Sequence, residues 1–155
     1  MASVHSASVV EQGAQFGKDV EIGPFCFVGK NVVLGDAVKL HSHVTIVGAT
    51  EVGDNTQIFP FTSLGQIPQD LKFDGEASTL TIGKNNIIRE HVTMSPGTKG
   101  GGLVTTVGNS CLFMVGSHVA HDCIVEDNVI LANNATLAGH VLVEEFAILG
   151  GLSAV

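Results

Sequence analysis

Large apolar side chains recur at every sixth position along this chain. One run keeps this register from Val4 to Leu64 without a slip, and a second keeps it from Val107 to Val155. Between the two runs the same register returns at three positions: Ile82, Ile88 and Met94. An α-helix cannot hold positions six apart on one face, and strand alternation alone would not single out every sixth residue. The pattern therefore indicates a repeated unit of six residues.

A second set of positions, four residues after most of the large apolar ones, carries small side chains such as Ser8, Ala14 and Cys26. Glycine often follows the large residue, as in Phe16-Gly17. Flat faces separated by corners satisfy both patterns, with one six-residue strand on each face and each coil stacked ~4.8 Å above the last. We therefore predict an all-β fold, a parallel β-helix that forms one domain over residues 1–155.

The three cysteines, Cys26, Cys111 and Cys123, all occupy the small-residue positions. Their number is odd and they have no CxxC spacing, so neither a disulfide framework nor a zinc knuckle is indicated. We expect reduced, buried thiols that serve packing.

Composition narrows the range of functions. The chain has 19 glycines, only 14% charged residues and a net charge of −8. A nucleic-acid partner is not expected, because its binding would require clustered Lys and Arg. The N-terminus lacks the basic start and apolar run of a signal peptide, and no apolar stretch approaches ~20 residues. We therefore expect a cytoplasmic protein with no integral membrane segment.

Two segments that interrupt the repeat predict loop insertions near 66–81 and 99–106. The first contains the sequence GQIPQDLKFDGE at 65–76, and the second contains three consecutive glycines at 100–102. The flanking sequences are also distinctive: IREHVT at 88–93, SHVAHDC at 117–123 and LANNATLAGH at 131–140. Together these segments resemble the UDP-N-acetylglucosamine O-acyltransferases of lipid A biosynthesis, a family of hexapeptide-repeat acyltransferases. The resemblance implies a left-handed β-helix, against the usual right-handed crossover preference.

The resemblance also implies an activity. Members of the family transfer a 3-hydroxyacyl chain from acyl carrier protein to the glucosamine 3-hydroxyl of UDP-N-acetylglucosamine, the first step of lipid A biosynthesis. The acyl donor is carried on the phosphopantetheine of the carrier protein, so no further cofactor is implied. We expect acyl carrier protein and UDP-N-acetylglucosamine as partners, and a homotrimer with the active site between subunits.

The chain departs from the family pattern in two places. Ser95-Pro96 stands where many relatives carry a His or Asn, which affects a substrate contact. The chain also ends at Val155, so the family's C-terminal helical domain, with its uridine, acyl-chain and carrier-protein contacts, is absent from it. We therefore expect this chain alone to be a poor enzyme.

Acyl transfer to a hydroxyl needs a base for the hydroxyl proton and a donor for the oxyanion. His121 and Gly139 are 18 residues apart, or three repeats, and each follows an inward aliphatic by two positions. Stacking should therefore place the Gly139 amide over His121 and His140 over Asp122. The resemblance implies the roles: His121 as general base, Asp122 as the group that orients its ring, and the Gly139 N–H as oxyanion donor.

The resemblance assigns substrate contacts to His118 and His140 and sugar-nucleotide binding to three loop residues: Gln69, Asp70 and Lys72. By contrast, we interpret His5, His41 and His43 as exposed polar residues at corners, and the glycines at 100–102 as a flexible loop. No catalytic metal is expected, because the close histidines carry other roles and no cysteine lies near them in ligand spacing.

Three alternatives remain at this point. A sugar N-acyltransferase of the same pathway would share the coil but should carry an N-terminal uridine-binding domain, whereas here the repeat begins at Val4. A γ-class carbonic anhydrase would bind zinc, but His118-x-x-His121 does not match its ligand spacing. The third alternative is an inactive solenoid fragment.

Overall fold

Short parallel strands stack along the whole chain, and the computed structural model describes all residues, 1–155. The 22 strands form three parallel sheets of eight, seven and seven strands. Each strand pairs with the strand three places further along the chain, so three strands and their corners make one coil. This confirms the predicted all-β solenoid. No helix in the structure has the length and apolar character needed to cross a membrane.

The three sheets correspond to the three faces of the coil. The first sheet contains β1 (Ser3–Val4), β4 (Glu21–Ile22), β7 (Lys39–Leu40), β10 (Gln57–Ile58), β13 (Ile87–Ile88), β16 (Leu112–Phe113), β19 (Ile130–Leu131) and β22 (Ile148–Leu149). The second contains β2 (Val9–Val10), β5 (Phe27–Val28), β8 (Thr45–Ile46), β11 (Ser63–Leu64), β14 (Thr93–Met94), β17 (His118–Val119) and β20 (Thr136–Leu137). The third contains β3 (Gln15–Phe16), β6 (Val33–Leu34), β9 (Ala49–Val52), β12 (Thr79–Ile82), β15 (Val104–Val107), β18 (Ile124–Val125) and β21 (Leu142–Val143).

The core is the interior of the stack. It comprises 29 buried apolar residues drawn from the large and small positions of the repeat, with Ile58, Phe113 and Leu131 fully buried. Each large side chain removed from water contributes ~1.5–3 kcal/mol before the cost of ordering the chain. Val4 in the first coil and Val155 in the last are 44% and 57% exposed.

The strands are shorter than predicted. We expected six residues per face, but most strands contain two, because the remaining residues of each repeat form the corner. The corners use a left-handed backbone conformation, seen at Asn55, Asn85 and Asn128 with φ of 57°, 58° and 60°. Asparagine tolerates this region better than most residues, which lowers the cost of each sharp turn.

The loop insertions end earlier than predicted. Strand β12 already begins at Thr79 within the loop predicted for 66–81, and β15 begins at Val104 within that predicted for 99–106. The reason is strand pairing: Thr79 pairs with both Ala49 and Val104, so β9, β12 and β15 form a ladder of four-residue strands. The pairing of these strands thus fixes the C-terminal end of each loop.

The cysteines are buried, as predicted. Each thiol lies near a backbone carbonyl of the next coil, with Sγ of Cys26 2.9 Å from the carbonyl oxygen of His41 and Sγ of Cys123 3.0 Å from that of Ala138. Burial raises the pKa of all three thiols. They are therefore packing residues with little thiolate character.

Candidate active site

A groove of ≈ 330 Å³ lies beside β17 and β20, where two coils and the first loop insertion meet. A volume of this size is at the lower end of small-molecule sites. It brings together residues from distant parts of the sequence. The polar and glycine residues that line it are Gln69, Ser95, His118, His121, Thr136 and Gly139.

His121 and Asp122 form a hydrogen-bonded pair at this groove. Nδ1 of His121 lies 2.8 Å from Oδ2 of Asp122, whose side chain is fully buried. An ionised carboxylate only accepts, so Nδ1 carries the ring proton and Nε2 presents a lone pair. Nε2 makes no hydrogen bond within the protein. This is the arrangement of an oriented general base.

The Asp122 carboxylate is held by neighbouring backbone and hydroxyl groups. Thr98 donates to it twice, through its backbone N–H to Oδ1 at 2.8 Å and through its hydroxyl to Oδ2. The Asp122 N–H in turn donates to Oγ1 of Thr105 at 2.8 Å. Burial alone would raise the pKa of Asp122, but the hydrogen bonds from Thr98 and His121, together with nearby His140, outweigh it, so the pKa lies below its usual value.

Gly139 lies directly against the His121 ring. A Cβ at position 139 would lie 2.7 Å from Nε2 of His121 and closer still to Cε1, so only glycine leaves room for the imidazole. The same stacking of adjacent coils brings the His140 N–H to the His121 carbonyl oxygen, and the two form a hydrogen bond of 3.0 Å. The Gly139 N–H has no partner in the protein. Stacking thus brings Gly139 to the His121 ring, as predicted, and a free N–H is a group that can donate to an oxyanion.

His118 and His140 both lie close to the His121–Asp122 pair. Nδ1 of His118 lies 2.7 Å from Oγ1 of Thr93, its partner in the β14–β17 pairing. Burial lowers the pKa of His118, and neighbouring His121 adds to this, so the ring favours the neutral form. The His140 ring packs edge-on against His121 at 5.0 Å, with Nε2 3.9 Å from Asp122 Oδ2.

The three predicted loop residues are not equivalent in the structure. Gln69 lines the groove beside His118 and His121. Asp70 and Lys72 lie outside the groove lining, and Oδ1 of Asp70 accepts from the Lys72 N–H at 3.0 Å within the loop itself. The structure therefore brings only Gln69 to the base.

Three polar residues at the site carried no role in the sequence prediction. Ser95 is 7% exposed and lines the groove, although its segment was noted only as a departure from the family pattern. Thr98 lies in the second loop insertion, where no repeat register applies. Thr105 occupies a small inward position that gave no functional signal.

The side chains of His121, Asp122 and His140 offer ligand atoms within 4.8 Å of one another. Such a cluster is compatible in composition with a divalent metal. Its hydrogen bonds favour the acid–base interpretation, since both Asp122 oxygens already accept from Thr98 and Oδ2 accepts from His121 as well.

The remaining corner histidines lie elsewhere. His5 and His43 are exposed, as predicted, but His41 is half-buried and stacks on Phe59 at 4.3 Å, so its interpretation as an exposed residue was wrong. Further along the same edge, Phe25, His43, Phe61 and His91 form a column of rings with centroids 5.0–5.2 Å apart.

The chain is similar to known proteins that carry the same repeat. Residues 105–139 match the family model "Bacterial transferase hexapeptide (six repeats)". The acyl-[acyl-carrier-protein]–UDP-N-acetylglucosamine O-acyltransferase of Rickettsia typhi is 53% identical over 122 residues, which cover 79% of this chain and 46% of that protein. The chain thus spans about half the length of the curated relatives it matches.

Solved structures are similar over nearly the whole chain. LpxA from Acinetobacter baumannii superposes with a TM-score of 0.96 at 46% identity, covering 97% of this chain and 58% of that one. LpxA from Bacteroides fragilis, a UDP-N-acetylglucosamine acyltransferase, superposes with a TM-score of 0.78 at 32% identity, covering 95% and 67%.

The repeat, the three parallel sheets and these superpositions define a hexapeptide-repeat transferase with a left-handed parallel β-helix, which confirms the predicted hand. More narrowly, the chain belongs to the UDP-N-acetylglucosamine acyltransferase family.

Proposed function

We propose that this chain is the β-helix part of an O-acyltransferase that moves a 3-hydroxyacyl chain from acyl carrier protein to the glucosamine 3-hydroxyl of UDP-N-acetylglucosamine, the first step of lipid A biosynthesis. The observation that carries the proposal is the His121–Asp122 pair with the unpaired Gly139 N–H packed against its ring. The names of its relatives supply the substrate class.

The reaction can be written with the residues present. Nε2 of His121 accepts the proton of the sugar 3-hydroxyl as that oxygen attacks the thioester carbonyl. The carbonyl π electrons move to oxygen, and the Gly139 N–H donates to the resulting oxyanion. The tetrahedral intermediate then collapses, the C–S bond breaks, and the leaving thiolate takes the proton from the His121 imidazolium. An ester and a free phosphopantetheine thiol result, and Asp122 stabilises the transient imidazolium throughout.

An acyl-transfer assay tests the proposal. The chain, and a version extended to the full length of its relatives, would be incubated with 3-hydroxyacyl carrier protein and UDP-N-acetylglucosamine. We expect a base-labile ester on the sugar from the extended version. An amide formed only when a UDP-glucosamine with a free amine is supplied would support an N-acyltransferase instead, and no transfer to any acceptor would favour an inactive scaffold.

The donor proposed for this reaction needs no cofactor bound to this chain, since the acyl group arrives on the phosphopantetheine of acyl carrier protein. We also propose that the reaction takes place in the cytoplasm, where nucleotide sugars and acyl carrier protein are available. Omitting carrier protein and supplying the free fatty acid should abolish transfer, because a carboxylate is a far poorer acyl donor than a thioester.

A homotrimer with the active site between subunits forms part of the proposal. The groove at His121 is open on the surface of one chain, and ligand sites generally enclose most of the ligand. Phe25 and Phe61, at 61% and 53% exposed, offer apolar surface for contact between copies. Light scattering at several concentrations should give three times the chain mass of 16.1 kDa. A monomer at high concentration would contradict it.

The reaction requires no catalytic metal, since the carboxylate of the His121–Asp122–His140 cluster is already occupied by hydrogen bonds. Elemental analysis of the purified protein should therefore find no stoichiometric zinc. One zinc per chain would instead favour the carbonic anhydrase alternative.

A further inference from the structure

The loop that links β14 to β15 contacts the Asp122 carboxylate. Residues 98–103 fold back on themselves because the carbonyl of Thr98 accepts from the N–H groups of both Gly101 and Leu103, at 3.1 and 2.9 Å. Thr98 itself is only 3% exposed. The loop is thus built around one buried residue.

Two residues of this loop, Thr98 and Gly101, fix the position of the Asp122 carboxylate. The Thr98 hydroxyl and N–H each donate to one of its oxygens. The Gly101 backbone lies so close to it that any Cβ at position 101 would clash with the Asp122 side chain. The glycine at 101 is therefore required for close approach, beyond any flexibility it gives the loop.

The backbone of Asp122 is also held by a threonine. Its φ of 60° is in the left-handed region that many corners of this fold adopt and that Asp tolerates better than most residues. The hydrogen bond from the Asp122 N–H to Thr105 holds the backbone, while Thr98 holds the carboxylate. The two threonines come from the loop and from β15, on neighbouring sides of the same residue.

We propose that Thr98 is a positioning residue that acts on the general base through Asp122, with loop 98–103 as its support. The inference rests on the proposed function, because it assigns a role within the same acid–base pair. The Thr98 hydroxyl donates to Oδ2, the oxygen that also accepts from His121, and so helps to keep that oxygen an ionised acceptor beside the imidazole. Asp122 then orients and stabilises the imidazolium without taking its proton.

The first test is NMR spectroscopy of the ¹⁵N-histidine-labelled 155-residue chain, which reports the tautomer of His121 without any substrate. In the wild type we expect the proton on Nδ1. Thr98→Val keeps the shape but removes the hydroxyl, and should give a mixture of tautomers or a changed His121 titration. Thr98→Ser should restore the wild-type spectrum. Thr106→Val, the same change on the outer side of β15, serves as the control.

The second test is steady-state kinetics in the extended version. A hydrogen bond to a buried charge corresponds to a loss of about 10-fold to 100-fold in kcat for Thr98→Val, with KM changed by less than about threefold. Thr98→Ser should recover most of the rate. If the extended version does not acylate UDP-N-acetylglucosamine at all, the proposed function fails, while the tautomer measurement still decides the role of Thr98.

If Thr98→Val folds and its His121 signals are the same as those of the wild type, the inference is overturned, since Thr98 would then be a structural residue only. If Thr98→Val does not fold, Gly101→Ala decides, because it displaces the same carboxylate while leaving the threonine in place. We expect Gly101→Ala to perturb the His121 tautomer in the same way, and an unperturbed tautomer in that variant would equally overturn the proposal.

Discussion

Gly139 and His121 lie in van der Waals contact across one coil, with the imidazole occupying the space that a side chain at position 139 would need. The β-helix produces this relationship because both residues follow inward aliphatic residues, Leu137 and Val119, which pair in adjacent strands. The pairing of adjacent coils thereby sets the separation between the His121 backbone on one coil and the Gly139 N–H on the next.

Gly139→Ala should displace the His121 ring and lower turnover by about 10-fold or more, because small misplacements of a catalytic group are costly. The Gly139 N–H remains, so the variant tests crowding rather than the oxyanion donor. Gly29→Ala is the control, since a Cβ there would meet no atom closer than 3.3 Å and the residue lies outside the groove. Kinetics of both variants in the extended version check this, and equal rates would show that His121 need not occupy its present position.

His121→Ala should lower turnover by about 10²–10⁴, the usual range for a positioned general base, while substrate affinity changes little. His121→Asn should behave in the same way. His5→Ala removes an exposed histidine far from the groove and serves as the control. A His121→Ala variant that keeps more than about a tenth of the wild-type rate would show that another group is the base, and His140 would be the next candidate.

The fold could be predicted from the sequence because a period of six over most of the chain leaves few other solutions. The same register predicted that Gly139 would stack on His121. It could not predict the contact between Thr98 and Asp122, because the residues are 24 apart and the loop between them breaks the 18-residue coil. Nor could it place Asp70 and Lys72 outside the groove, since loop side chains follow local turn geometry and not the repeat.

His118 should titrate below the usual histidine value, because burial and neighbouring His121 lower its pKa. The folded state then binds its proton less readily than the unfolded state, so His118 destabilises the fold as pH falls below about 6.5. Below the lowered pKa this destabilisation is complete. Urea unfolding of wild type and His118→Gln between pH 8 and pH 5 should show a smaller loss of stability in the variant. An equal loss would contradict the burial argument.

Asp122 should also favour the folded state less as pH falls, because its pKa, like that of His118, is lowered in the folded state. The contribution is fully present above the unfolded value of about 3.9 and is lost as pH falls through the folded pKa. Asp122→Asn removes the buried charge that Thr98 and His121 hold, so we expect it to cost about 1.5–3 kcal/mol at pH 7.

The difference between wild type and Asp122→Asn should therefore begin to shrink below about pH 4, where the carboxylate of the unfolded wild type takes up a proton, and be lost as pH falls through the lower folded pKa. Asp54→Asn is a useful comparison, because the pKa of Asp54 is also lowered, chiefly by Lys84, but at an exposed ion pair that salt screens. Added salt should thus reduce the effect of Asp54→Asn and leave that of Asp122→Asn nearly unchanged. Denaturant unfolding of the three proteins at pH 7 and pH 3, with and without salt, measures both the pH dependence and the salt dependence of the free energy of unfolding. A difference for Asp122→Asn that stays constant across this pH range would mean that the pKa of Asp122 is the same in the folded and unfolded states, so that Thr98 and His121 do not preferentially stabilise its ionised form.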